Sequence, residues 1–168
     1  TETNYSFSNL TASTTYSVTV LAKDTTDNKS AQSTAVNATT TDGSAITNEI
    51  FFSEYLEGSS NNKAIEIANF TGQIVSLKEY SVKLGSNGQD FGTQTLTFTN
   101  ESIVDGDVFV IGNSQLEVCA SEVDISSNVT YFNGNDVLGL FKNGILIDII
   151  GEENSSTTFG ENVTLKRK

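Results

Sequence analysis

The feature that most restricts how this chain can fold is a two-residue apolar period that recurs along its length. No stretch sustains the three-to-four-residue spacing of an amphipathic helix. In TYSVTVLAKD (15–24), Tyr16, Val18, Val20 and Ala22 fall on one face and Ser17, Thr19 and Leu21 on the other. In the run from residue 50, Ile50, Phe52, Glu54 and Leu56 share a face, and Phe51, Ser53, Tyr55 and Glu57 share its opposite. Ile65 and Ile67 then point to a core and Glu66 away from it. Successive side chains of a strand leave on opposite faces, so these runs predict half-buried strands, with Gly, Asn, Asp and Ser between them as turns. The predicted strands are 49–56, 63–69, 79–84, 94–99, 107–112, 136–142, 145–150 and one near 163–167. In LFKNGILI (140–147), Asn143-Gly144 between apolar runs specifies a type I′ hairpin, because both central residues need positive φ. Seven or eight short antiparallel strands over roughly 120 residues predict an all-β, immunoglobulin-like antiparallel sandwich.

Residues 1–41 form a separate segment with three alternating runs, NYSFSNL (4–10), the run from 15 to 24, and SAQSTAVNATT (30–40). Residues 42–45 read as a linker, polar, Gly-containing and without periodicity. LTASTTYSVTV (10–20) resembles the tyrosine-corner region of a fibronectin type III domain, with Leu10 preceding Tyr16 and the phenol folding back onto backbone. The polar loop and run after it resemble the end of such a domain. The resemblance implies a truncated fibronectin type III remnant of three strands over 1–41, with one apolar face lacking its partner sheet. Ala12 departs from the family, which often has proline there.

Residues 46–168 carry an ordered set of motifs. FFSEYLEGSSNNK (51–63) and KAIEIANFTG (63–72) resemble the opening strands and Gly/Ser/Asn turn of the lamin-tail domain. LKEYSVKL (77–84) is similar to its third strand, in which an aromatic residue, here Tyr80, enters the core. VDGDVFVIGN (104–113) resembles the strand after its Gly-containing turn. YFNGNDVLGLFKNGILIDIIGE (131–152) is similar to the hairpin of the bacterial members, and TLKRK (164–168) to the closing strand. Asn135 stands where those members often have an acid, which weakens a cation role for that loop. The resemblance implies an accessory module of secreted bacterial multidomain proteins, found beside fibronectin-type repeats and enzymes such as nucleases and phosphoesterases.

Composition enters as a set of exclusions. The chain has no histidine, so the commonest general base and transition-metal ligand are absent, and its one cysteine, Cys119, permits no internal disulfide. Cys119 reads as a small buried or half-buried apolar residue rather than a reactive thiol. A formal net charge of −12, with cations clustered only at Lys166-Arg167-Lys168, makes nucleic acid an unlikely partner. No run is long enough to cross a membrane and no signal peptide is visible; a chain beginning at Thr1 reads as part of a longer protein. Asn9, Asn69, Asn128 and Asn162 sit in N-x-[ST] triplets, which so much Asn, Ser and Thr generates by chance.

Three acids near the first turn, Glu54, Glu57 and Glu66, pose the functional question. They could be surface groups paired with Lys63, Lys78 or Lys83, with Lys83 matched to Glu66. Glu54 could be half-buried and bonded to backbone, or the acids could form the two-carboxylate pair of a hydrolase. The loops 24–28, 105–107 and 133–136 are rich in oxygen but match no complete calcium spacing, and turns use Asn, Asp and Gly for backbone reasons alone. Phe51, Phe52, Phe109, Phe132 and Phe141 read as packing residues, and Asp148 as a charge that guards an edge strand. No catalytic, cofactor or metal residue is assigned and no cofactor is expected. The expectation is a non-catalytic extracellular module that tethers or recognises an extracellular or cell-surface ligand, next to a catalytic domain of the parent protein. The alternatives are a purely structural spacer and a carboxylate-based hydrolase.

Overall fold

The computed structural model describes residues 7, 10, 11, 13–40 and 48–168. The chain divides into two compact units, Thr1–Ala45 and Ile46–Lys168. Most of the run expected at 4–10, and all of the linker expected at 42–45, lie outside the described residues.

In the first unit, β1 (Thr15–Val18) runs antiparallel to β2 (Val36–Thr39), with Tyr16 opposite Ala38 and Val18 opposite Val36. Past Val18 the pairing continues through side chains. The Val20 N–H donates to Ser33 Oγ and the Ala22 N–H to Ser30 Oγ, both at 2.9 Å, while the N–H groups of Ser33 and Ser30 return to the Val20 and Ala22 carbonyls. The run expected over 30–40 is therefore regular strand only from Val36, because serine hydroxyls take donors that a strand would give to carbonyls. The Tyr16 hydroxyl accepts the Thr11 N–H at 2.8 Å. Val20 and Val36 stay exposed.

The second unit holds β3 (Phe51–Glu57), β4 (Lys63–Ala68), β5 (Val75–Ser76), β6 (Tyr80–Gly85), β7 (Gln94–Thr97), β8 (Ser102–Ile103), β9 (Val108–Gly112), β10 (Ile125–Ser126), β11 (Val137–Lys142), β12 (Ile145–Ile150) and β13 (Val163–Lys166). A five-stranded sheet in the order β10-β9-β4-β3-β13 faces a four-stranded sheet in the order β12-β11-β6-β7, and β5 pairs with β8. This is the expected immunoglobulin-like sandwich. Ile50, Phe52, Tyr55, Ile65, Ile67 and Ile111 from one sheet meet Tyr80, Val82, Leu84, Leu138 and Leu140 from the other in one core. Tyr80 enters that core as expected, 4% exposed. Phe52, Phe109, Phe132 and Phe141 are buried, and Phe51 is half-buried beneath the Arg167 guanidinium. Asn143 and Gly144 have φ of 49° and 80°, closing the tight β11–β12 hairpin that the Asn-Gly pair predicts. The two-residue strands β5, β8 and β10 have too few alternating residues to be read in a sequence, and β10 pairs with β9 in parallel rather than antiparallel.

One expectation is overturned inside β3. The β3–β4 register shifts between Phe52 and Glu54, so Ser53 is an extra residue in a β-bulge. Ile50 and Phe52 face the core on one side of the bulge. After it the inward set becomes Tyr55 and Glu57, buried at 1% and 4%, while Leu56 is only half-buried. Glu54 thus does not share the face of Ile50 and Phe52, and Glu57 goes inside.

Candidate functional site

The bulge places the three glutamates in three different environments. Glu54 and Glu66 lie directly opposite each other in the β3–β4 ladder. Like charges at such a position repel unless something intervenes. The cation is not the expected Lys83, whose ammonium sits 4.4 Å from the centroid of the Phe141 ring. It is Lys166 on β13, which pairs with Glu54 at 3.0 Å. Hydrogen bonding to Glu54, together with the charges of Glu54 and Glu66, raises the Lys166 pKa. Ser53, the bulge residue, donates its hydroxyl to Glu66 at 2.6 Å. Lys166 thereby offsets one of the two charges, and the Ser53 hydroxyl hydrogen-bonds the other carboxylate.

Glu57 is the group that strict alternation missed. Its carboxylate accepts the Lys63 ammonium on one oxygen and the Asn162 N–H on the other. The side chains of Glu57 and Lys63 are 5% and 12% exposed. A charge pair this far from water has no slack, because each charge depends on the other for its solvation. The pair ties the first hairpin to the segment leading into β13.

Two further carboxylates fasten one sheet to the other. Asp148, on the edge strand β12, accepts the Phe52 N–H at 2.8 Å and the N–H of Ile149 at 2.9 Å, and Arg167 reaches both of its oxygens at 2.7 and 2.9 Å. Asp148 does stand on an edge, but its side chain is 12% exposed and satisfies donors inside the flank. Glu49 accepts the hydroxyl of Tyr80, the Ile50 N–H at 3.1 Å and the Lys142 ammonium at 2.7 Å. Desolvation raises the Glu49 pKa, but the bonds from Lys142, Tyr80 and Ile50 outweigh it and hold the carboxyl below its ordinary 4.5. Burial and the Glu49 bond raise the Tyr80 pKa, and the bonds to Glu49 and Tyr80 raise that of Lys142.

The oxygen-rich loops spend their oxygens on nearby backbone and side-chain donors. Asp136, 2% exposed, accepts the N–H groups of Asn87 and Asn133. Asp105 accepts from Gly72 and Asp107 from Val108. Asp24 accepts from the side chains and N–H groups of Asn28 and Thr26, which lowers its pKa to about 2. Among the described residues no group of three or more His, Cys, Asp or Glu could hold a metal ion. Asn69 is fully buried, its amide donating to the Gln73 and Ile103 carbonyls, so its triplet is a turn device. Cys119 is exposed at positive φ, contrary to the buried or half-buried place expected for it. Leu116 and Val123, not Cys119, pack beside Gly112 there.

Two hollows border these groups. One, of about 640 Å³, is open and lies between Asn48, Glu49, Thr71, Gln73, Lys78 and Lys142. The other, of about 260 Å³, is a groove beside Glu54 walled by Phe52, Ile149, Ile150, Phe159 and Leu165, and Glu66 does not line it. The hydroxyl of Tyr55 is buried and makes no hydrogen bond of good geometry; burial, then the charges of Glu57 and Asp136, push its pKa up against a smaller opposing pull from the Gly134 backbone. None of the described helices is long and apolar enough to cross a membrane.

The family model described as Lamin Tail Domain matches residues 43–154. No curated protein and no solved structure matches the chain.

Proposed function

Because the chain belongs to the lamin tail domain family, we propose that it works as a non-catalytic accessory module of a secreted bacterial multidomain protein, tethering that protein or recognising an extracellular ligand. One observation carries this reading: the carboxylates a hydrolase would need are engaged as structural groups. Two-carboxylate hydrolysis requires one acid with a raised pKa and an ionised partner facing it across a cleft. Here Glu54 and Glu66 are held by Lys166 and Ser53, and Glu57 by Lys63 and Asn162. The first unit fits the last strands of a fibronectin type III domain, a reading supported by the Tyr16 hydroxyl accepting the Thr11 N–H.

Ligand contacts in a rigid sandwich fall on the loops at one end, and the open hollow beside Glu49 is the candidate place. Titration calorimetry of the whole chain against purified peptidoglycan, neutral glucans and anionic polysaccharides tests the reading. Saturable binding that Gln73→Ala weakens supports recognition. No binding leaves a spacer as the role, and turnover of a glycan or phosphoester that Glu54→Gln abolishes rejects the non-catalytic reading.

A further inference from the structure

The open hollow of about 640 Å³ lies between the end of β4, the start of β6 and the end of β11. Its size is that of a small-ligand site. One wall is the loop 69–75, which is fixed before any ligand arrives. The buried Asn69 amide donates to the Gln73 and Ile103 carbonyls, and its Oδ1 accepts the Thr71 N–H at 3.0 Å and the Thr71 hydroxyl at 2.8 Å. Asp105 accepts the Gly72 N–H at 2.8 Å. Gln73 and Ile74 are therefore displayed on a held backbone, with Ile74 69% exposed. A loop that is already ordered gives up little entropy when it binds.

The charges of the lining cancel. On the floor, Lys142 is held by Glu49, which also accepts the Tyr80 hydroxyl. On the rim, Lys78 and Glu79 are exposed neighbours of opposite sign. The amides of Asn48 and Gln73 complete the polar lining, and each can donate and accept at once. An anionic ligand is repelled from a distance by a chain of net charge −12, and the floor cation that would hold it is already paired. A cationic ligand is held no better here than elsewhere on an acidic surface. A peptide is anchored by apolar side chains, and this lining offers them only Ile74 and Val75. We propose that the hollow takes a segment of a neutral glycan. Sugar hydroxyls each donate and accept, as the two amides do, and the C–H face of a sugar ring can rest on Ile74. The proposal rests on the recognition reading above and gives it a ligand class.

Titration of the isotope-labelled whole chain, followed by its amide shifts, tests it. The neutral probes are cellotetraose, xylotetraose and laminaritetraose; tetragalacturonate is the anionic probe and an uncharged, end-capped tetrapeptide the third. The expected result is saturable binding of a neutral tetrasaccharide, with shifts centred on residues 71–79. Its affinity should change by less than about twofold between about 50 and 500 mM sodium chloride, since screening acts only on charge. Gln73→Ala should weaken it about two- to tenfold, the worth of a hydrogen bond, and Lys78→Ala by less than about twofold. Both side chains are exposed, and unchanged shifts elsewhere show that each variant is folded. Preference for tetragalacturonate, cut by salt and by Lys78→Ala, overturns the neutral class and leaves recognition standing, as does preference for the peptide. Glycan shifts that lie elsewhere, or that Gln73→Ala leaves alone, overturn the site. No saturable shift with any probe overturns the inference, and recognition then stands or falls on the polysaccharide calorimetry.

Discussion

Replacing Glu57 by alanine tests the interior of the sandwich most directly. The substitution leaves the Lys63 ammonium, in a side chain 12% exposed, with only the Gly58 carbonyl at 3.3 Å, and it orphans the Asn162 N–H. Removing one partner of a buried pair costs about 3–5 kcal/mol, and an unsatisfied buried N–H costs about 1–3 kcal/mol. The two losses overlap, so about 4 kcal/mol is expected. For a cooperative unit of this size that lowers the melting temperature by about 15 °C. The chain has no tryptophan, so unfolding in urea is followed by near-UV dichroism of the buried Tyr55 and Tyr80. The double variant Glu57→Leu with Lys63→Met, which removes both charges and fills their space, should lie within about 2 kcal/mol of the parent. A loss below about 1 kcal/mol for Glu57→Ala, or a double variant no better than the single one, would refute the claim that these charges depend on one another.

Asp148→Ala removes the acceptor of the Phe52 N–H and both contacts of Arg167, and should cost about 2–3 kcal/mol; Arg167→Ala, at a side chain 47% exposed, should cost less in the same urea titration. The Glu49 pKa is depressed in the folded chain, so its contribution is present above the unfolded value near 4.5 and fades as pH falls through the lower folded value. Stability measured from neutral pH downward should therefore fall less steeply below about pH 4.5 in Glu49→Gln than in the parent. Tyr55→Phe deletes a buried hydroxyl that makes no hydrogen bond of good geometry and should leave stability unchanged or raise it by about 1 kcal/mol. A loss above about 1 kcal/mol in thermal unfolding would show that the hydroxyl has an acceptor in solution.

Much of the sandwich was legible because period-two alternation is local: each of the eight strands expected after residue 46 has a counterpart among β3, β4, β6, β7, β9, β11, β12 and β13. The Asn143-Gly144 turn was legible for the same reason, since a two-residue loop admits few backbone shapes. The candidate site was not. A bulge has no compositional signature at Ser53, and its presence exchanges which of Glu54 and Glu57 is buried. The partners of the acids come from far along the chain, Lys166 for Glu54 and Arg167 for Asp148, so local spacing pointed to the nearer but wrong Lys83. Cys119 was misplaced because a small apolar residue in a turn is positioned by the turn's backbone, here at φ 55°, and not by its own hydrophobicity. Glu66 facing outward and Tyr80 entering the core followed the alternation alone.

The extra residue at Ser53 divides β3 into two frames, even-numbered residues inward before it and odd-numbered after it. Deleting that one residue would join the two frames into one unbroken alternation, with Phe52, Tyr55 and Glu57 still inward and Glu54 and Leu56 still outward, and would take away only the hydroxyl that meets Glu66. Loss of Ser53 should thus be tolerated far better than a residue inserted beyond it, which would turn Tyr55 away from its stack on Phe132.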